Sequence, residues 1–420
     1  MRVLLKSVEV IDPRYSFHRK KRNILIKNGT ISSISTQDVT SDKIIEGKGL
    51  LVSIGWFDMR ASFCDPGFEQ KEDIVSGSRA AHTGGFTEVA LLPNTNPVIQ
   101  TKNEISYIIA NNSHSLVQLH PMACATVGTE GEAITEMIDL HQAGAVAFTD
   151  GEKPIWHTDV LLKSLMYLQK FDGLLINRAE DQFLTTFGTM NEGVTSTQLG
   201  MKGMPNLSEE LMIERDIRLL QYAGGKIHFS NISTENSVEL IRQAKKKGLS
   251  ITCDVAAHQL AFDDTALVDF DTNFKVNPPL RSKKDVKALI NGLKDGTIDV
   301  IVSSHSPQDE ESKKVEFDLA EFGVTGLQTL YPVLNSLEDK LDLNLLIEKI
   351  TISPRTILHL PIPEIKVGSP ANLTVFDPEQ EWVLDDHSNQ SKSRNSPFYN
   401  KTLSGKAVAV FNNGKWEFNL

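Results

Sequence analysis

The chain has 420 residues, a formal charge of −11, 40% apolar residues and only three cysteines. It is long enough to bury a large core without covalent staples, too acidic for a nucleic-acid footprint, which needs a clustered basic face, and too poor in cysteine for a disulfide framework or a Cys-based zinc site. Cys64, Cys124 and Cys253 read as small buried residues in a reducing, cytoplasmic setting. The N-terminal MRVLLKSVEVIDPRY has no apolar signal core, and no later run approaches the roughly 20 apolar residues of a membrane span.

In chain order, residues 1–50 carry short β segments with an Asn-Gly turn in KNGT, and the basic HRKKRN at 18–23 reads as a solvated hairpin loop. From residue 50, eight apolar β-rich runs alternate with helix-length segments: 51–59, 87–94, 117–126, 144–150, 173–181, 226–233, 249–258 and 299–307. Such alternation predicts a parallel α/β fold. Eight units predict a (β/α)8 TIM barrel with its chemistry at the C-terminal strand ends. STENSVELIRQAKKKG (233–248) typifies the intervening helices, with Val238, Ile241 and Ala244/Lys245 in register for one buried stripe. Residues 365–420 return to short β segments with a second Asn-Gly turn in NNGK. The expected organisation is a barrel over 51–364 flanked by a small β-sandwich domain built from both termini, 1–50 and 365–420.

The first strand end, GWFDMRASFCDPG (55–67), has the shape of a metal-binding strand end without the histidines. The stretches DPGFEQKEDIVSGSRAAHTGGFTEVALLPNTNPV (65–98), NEGVTSTQLGMKGMP (191–205), KVNPPLR (275–281), LKDGTIDVIVSSHSP (293–307), FGVTGLQTLYPVLN (322–335) and SKSRNSPF (391–398) stand in the order found in dihydroorotases. With them the chain resembles that family of the amidohydrolase superfamily. The resemblance implies a homodimeric hydrolase of pyrimidine biosynthesis that opens and closes a cyclic amide with two zinc ions.

The ligand positions that the resemblance implies hold other residues. The two histidines and the substrate-binding arginine after strand 1 correspond to Arg60, Ser62 and Cys64. The metal-bridging acid after strand 4 falls at Asp150 or Gly151. The histidines of strands 5 and 6 correspond to Arg178 and Asn231, the general-base aspartate to Ser304, and a substrate-contacting histidine to Gln308. A guanidinium has only N–H donors and a permanent charge. At 5 Å and an effective dielectric near 20 it repels a divalent cation by roughly 6–7 kcal/mol. No metal cofactor is therefore expected, and Arg60 and Arg178 are expected to fill the vacated volume paired with Asp150, Asp58 or Asp65. Alternatively, they form an anion site.

Asn94 and Asn277 match substrate-touching residues of the family and equally suit turns beside proline, so the pocket candidates are Asn94, Asn277, Arg60, Arg178, Cys64 and Gln308. His258 and His305 read as packing residues, and His82, His120, His141, His157 and His228 receive no role. QDEESKK (308–314) is by composition a solvated charge run; the resemblance makes it a mobile loop over the substrate. The resulting expectation is a catalytically silent dihydroorotase-like pseudoenzyme, a structural or regulatory partner of aspartate transcarbamoylase by family analogy alone. One alternative is an active dihydroorotase or related cyclic amidohydrolase with an altered site. It would use metal on Asp150, Glu180, His258 and His305, or a metal-free site with an activated Ser304 or Cys64. The other is a non-catalytic sensor of an acidic pyrimidine precursor.

Overall fold

The structure, a computed structural model, describes residues 2–337 and 339–419. Parallel ladders join Trp56–Ala61 to Phe86–Leu91 and the latter to Gln118–Pro121. A second parallel set runs Leu175–Asn177, Ile227–Phe229, Ile251–Ala256, Val300–Val302. Single parallel bridges link the sets: Ala123 to Phe148, Phe148 to Leu175, and His305 back to Ala61. All eight predicted runs therefore contribute, though 144–150 forms no extended ladder and joins through the Phe148 bridges and the backbone hydrogen bonds of Val146, Ala147 and Thr149. The ladders are shorter than the apolar runs because each run continues past its strand into the loop that carries the site.

Apolar packing flanks these strands on both sides. One cluster joins them to the helices, as where Glu235–Lys246 buries Val238, Ile241 and Ala244 of the expected stripe and leaves Lys245 half-buried. The other gathers residues of the strands and of the segments flanking them, among them Phe57, Met59, Ala90, Ile176, Val300 and Val302. No helix among the described residues is long and apolar enough to cross a membrane.

The run 51–59, expected as one strand, is two. Leu51–Ile54 pairs antiparallel with Leu373–Val383, while Trp56–Ala61 enters the parallel set. Gly55 makes the break possible: a Cβ there would lie 2.0 Å from Asn372 Oδ1 and 2.1 Å from Thr87 Oγ1. The terminal segments expected as a sandwich are hydrogen-bonded into a single sheet of eight strands. The reason is the length of Arg2–Val10, which pairs with Lys43–Glu46 along its first half and Leu51–Ile54 along its second. Both Asn-Gly turns are where the sequence puts them, with φ of 50° and 77° at Asn28–Gly29 and 51° and 72° at Asn413–Gly414, the left-handed pair such turns require. HRKKRN is only partly a loop, because Lys21–Lys27 is already strand and Asn23 is buried.

Candidate active site

The register between Trp56–Ala61 and its neighbour shifts between Asp58 and Ala61, a bulge of the kind that re-aims side chains at sheet ends. Beyond it Arg60 is buried, 2% exposed. Its Nη1 donates to Ser230 Oγ at 3.2 Å. The Asn231 amide satisfies both its ends when its oxygen accepts from Arg60 Nε (3.0 Å) and Ser304 Oγ (2.8 Å) and its nitrogen faces Asp254 Oδ1 at 3.3 Å. Arg60 Nη2 lies 3.2 Å from Glu152 Oε2, but the contact misses hydrogen-bond geometry and leaves that nitrogen without a hydrogen-bond partner.

Arg178, at the end of Leu175–Asn177 and 4% exposed, donates from Nη1 to Glu180 Oε2 at 2.5 Å. Glu180 also accepts from Thr185 Oγ1 at 2.7 Å and Asn277 Nδ2 at 3.0 Å. Burial alone would raise its pKa, yet the Arg178 charge and these donors hold it below the usual carboxylate range. Arg178 Nε has no partner.

The expected pairing with Asp150, Asp58 or Asp65 is therefore not what forms. Asp150 is taken by the Thr126 backbone N–H (2.9 Å) and hydroxyl (2.5 Å), and Asp58 by the N–H and hydroxyl of Ser303. Asp65 accepts from Tyr107 and the Ile74 N–H. Burial, only partly offset by these neutral donors, raises Asp150 and Asp58 to about 6 each. The guanidinium groups take Glu152 and Glu180 instead, because these loop residues are long enough to reach the strand ends. Glu152 carried no signal in the sequence beyond its place two residues after Asp150; its partner lies on another strand.

The other pocket candidates divide. Asn94 holds the loop after the fourth run, its Nδ2 donating to the Asp150 carbonyl (3.0 Å) and its Oδ1 accepting from the Glu152 N–H (2.9 Å). The same contact restricts position 151. Gly151 has φ +64°, and a Cβ there would lie 1.8 Å from Asn94 Oδ1, so no acidic side chain fits at 151. Asn277 borders the mouth beside Glu180. Gln308 is turned away from the guanidinium groups, accepting from Lys71 Nζ and donating to the Phe322 carbonyl. Ser62 meets the His305 carbonyl through its backbone N–H.

Cys64, Asn231 and Ser304 all have left-handed backbones, with φ of 59°, 54° and 48°, so three strand ends carry strain of the sort concentrated at functional sites. The 308–314 segment is not simply solvated. Lys313 is buried and donates to the Glu321 and Gly323 carbonyls, tying the loop down.

At the mouth is a cavity of ≈ 30 Å³ bordered by Glu152, His258, Asn277, Ser304, Phe322 and Gly323. His258 is not a satisfied packing residue: its Nδ1 lacks a hydrogen-bond partner, and burial lowers its pKa to about 4, leaving it neutral. His305 faces Glu72, Nε2 to Oε2 3.4 Å.

Residues 49–237 match the family model described as "Dihydro-orotase-like". A protein named "Dihydroorotase" from Geobacter sp. (strain M21) is 40% identical over 414 residues, 97% of each chain. Another of that name, from Thermoanaerobacter sp. (strain X514), is 41% identical over 96% of this chain and 94% of its own. The chain belongs to the dihydroorotase family. The L-hydantoinase (dihydropyrimidinase) from Arthrobacter aurescens superposes with a TM-score of 0.85 over 99% of this chain and 95% of its own, at 22% identity. This likeness shows an α/β fold of the TIM-barrel kind.

Two cations of the sort the dihydroorotase resemblance implies do not fit this donor set. Arg60 and Arg178 present no lone pair, the Asn231 oxygen is occupied by Arg60 and Ser304, and Asp150 is held by Thr126. Among the described residues no three His, Cys, Asp or Glu side chains stand close enough to hold an ion, so Asp150, Glu180, His258 and His305 do not converge. A thiolate route fails as well: burial pushes the Cys64 thiol up to about 12. The Ser304 hydroxyl donates to the Asn231 amide oxygen rather than to a base.

The expectation of a catalytically silent chain is nonetheless overturned, by relatives of near 40% identity over full length that are named for the activity. That expectation equated loss of metal donors with loss of function.

Proposed function

We propose that the chain is an active dihydroorotase-type cyclic amidohydrolase with an altered site, interconverting N-carbamoyl-L-aspartate and L-dihydroorotate in pyrimidine biosynthesis. The observation that carries this reading is the 40% identity over 97% of both chains to a protein named "Dihydroorotase". In the hydrolytic direction a water oxygen bonds to the ring carbonyl carbon, the ring C–N bond breaks, and the released nitrogen takes a proton; the new carboxylate leaves one proton to solvent. The charge of Arg60 and Arg178 favours the negative oxygen that develops at that carbonyl and pairs with the substrate carboxylate. Asn277 adds a polar contact. The neutral His258, bordering the cavity, carries the proton. Asn94, Cys64 and Gln308 act through the loops they hold.

The parallel strands are read here as a closed (β/α)8 barrel over 51–364, with 1–50 and 365–420 as the flanking domain. Self-association is part of the proposal, supported by the exposed apolar side chains Phe183, Phe187 and Val194; light scattering after gel filtration tests it. A cytoplasmic setting and association with aspartate transcarbamoylase rest on composition and family resemblance, and co-elution tests the latter. For the activity, purified chain is assayed in both directions. A turnover in the ordinary range of roughly 1–1000 per second supports the reading, and folded protein that turns over neither compound overturns it.

A further inference from the structure

We propose that the mouth is a metal-independent binding site for a small dicarboxylate and that Glu152 stands in for one of the ligand's carboxylates when no ligand is bound. This rests on the dihydroorotase reading above, whose substrates are acids, and adds to it how they are held.

Three observations point the same way. First, three side-chain nitrogens at the strand ends or on the cavity wall are buried without hydrogen-bond partners: Arg60 Nη2, Arg178 Nε and His258 Nδ1. Arg60, Arg178 and His258 are each more than nine-tenths buried, at 2%, 4% and 6% exposure. An unmet donor on a buried guanidinium is costly, and several together are the signature of a site built for something else. Second, the two Arg–Glu pairs are unlike. Glu180 is 13% exposed and locked by three donors, whereas the Glu152 side chain is 38% exposed and approaches Arg60 only at 3.2 Å, outside hydrogen-bond geometry. Glu180 is structural; Glu152 is displaceable. Third, the remaining cavity of ≈ 30 Å³ holds only one or two waters. A dicarboxylate enters only when the Glu152 carboxylate swings out, which its exposure allows and which lets Arg60 Nη2 donate a charge-assisted hydrogen bond to the ligand's carboxylate.

The test is titration calorimetry of the full chain, pretreated with chelator, using succinate, which cannot cyclise, with the neutral succinamide as control. Glu152→Gln removes the internal competitor without touching the core, and it is expected to bind succinate about threefold to tenfold more tightly than the unchanged chain. Arg60→Gln is expected to lose binding. Equal affinity in the Glu152→Gln variant, absence of succinate binding in both, equal binding of succinamide, or binding that appears only with added zinc would each overturn the proposal. Should Arg60→Gln fail to fold, the Glu152→Gln comparison decides alone. Turnover plays no part in the readout. A chain that binds succinate as expected but is inactive refutes the enzymatic reading only, and one that is active but indifferent to Glu152→Gln refutes this proposal only.

Discussion

Glu180→Gln and Glu152→Gln remove the same charge from opposite the same chemical group, yet the structure assigns them different costs. The Glu180 carboxylate accepts from Arg178 at 2.5 Å, Thr185 at 2.7 Å and Asn277 at 3.0 Å, and the guanidinium it neutralises is 4% exposed. Removing one partner of a buried pair leaves the other uncompensated, which costs about 3–5 kcal/mol. The Glu152 side chain is 38% exposed and makes one imperfect contact, to an Arg60 that keeps its hydrogen bonds to Ser230 and Asn231, so its removal costs less than that of Glu180. Equilibrium urea unfolding of the two variants beside the unchanged chain measures both. Losses that are equal, or a Glu180→Gln loss below about 1 kcal/mol, would refute the inference that burial and donor count separate the two pairs.

Gly151→Ala forces a left-handed residue and a Cβ 1.8 Å from Asn94 Oδ1. The expected loss is about 3–4 kcal/mol, from left-handed strain of about 1–2 and the two Asn94 hydrogen bonds at about 1 each; in an Asn94→Ala background only the strain remains, and a double-mutant cycle reads the difference. Burial lowers the folded pKa of His258 from 6.5 to about 4, so between those values the unfolded chain binds the extra proton and stability falls as pH falls. This group should lower stability by about 2–3 kcal/mol between pH 7.5 and 4.5; His258→Gln should lose that slope, and parallel pH profiles for the two proteins would contradict it. Gly55→Ala, with its Cβ 2.0 Å from Asn372 Oδ1 and 2.1 Å from Thr87 Oγ1, should lower the melting temperature and separate the two strands it joins, seen as faster hydrogen exchange at Ile54 and Trp56.

Much of the architecture was legible because hydrophobic periodicity is a local property. The eight β-rich runs, the stripe of Val238, Ile241 and Ala244 and both Asn-Gly turns follow from residue types a few positions apart. The split at Gly55 was not, since the atoms that forbid a side chain there belong to Thr87 and Asn372, and neither was the joining of the terminal strands into one sheet. At the site, the sequence established that donor-only guanidinium groups replace lone-pair ligands, a matter of functional-group chemistry that no fold alters.

Function divided the same way. Loss of ligands could be read from single positions, but the conclusion of inactivity did not survive comparison with relatives sharing near 40% of the chain. Which acids meet the arginines was decided in three dimensions: Asp150 and Asp58, nearest in sequence to the ligand positions, are captured by the hydroxyls of Thr126 and Ser303, which leaves Glu152 and Glu180 to the guanidinium groups. Residue identity thus fixed what kinds of bonds the strand ends can form. Tertiary structure alone chose the partners, because hydrogen bonds and ion pairs depend on distance and direction between segments that the sequence keeps far apart.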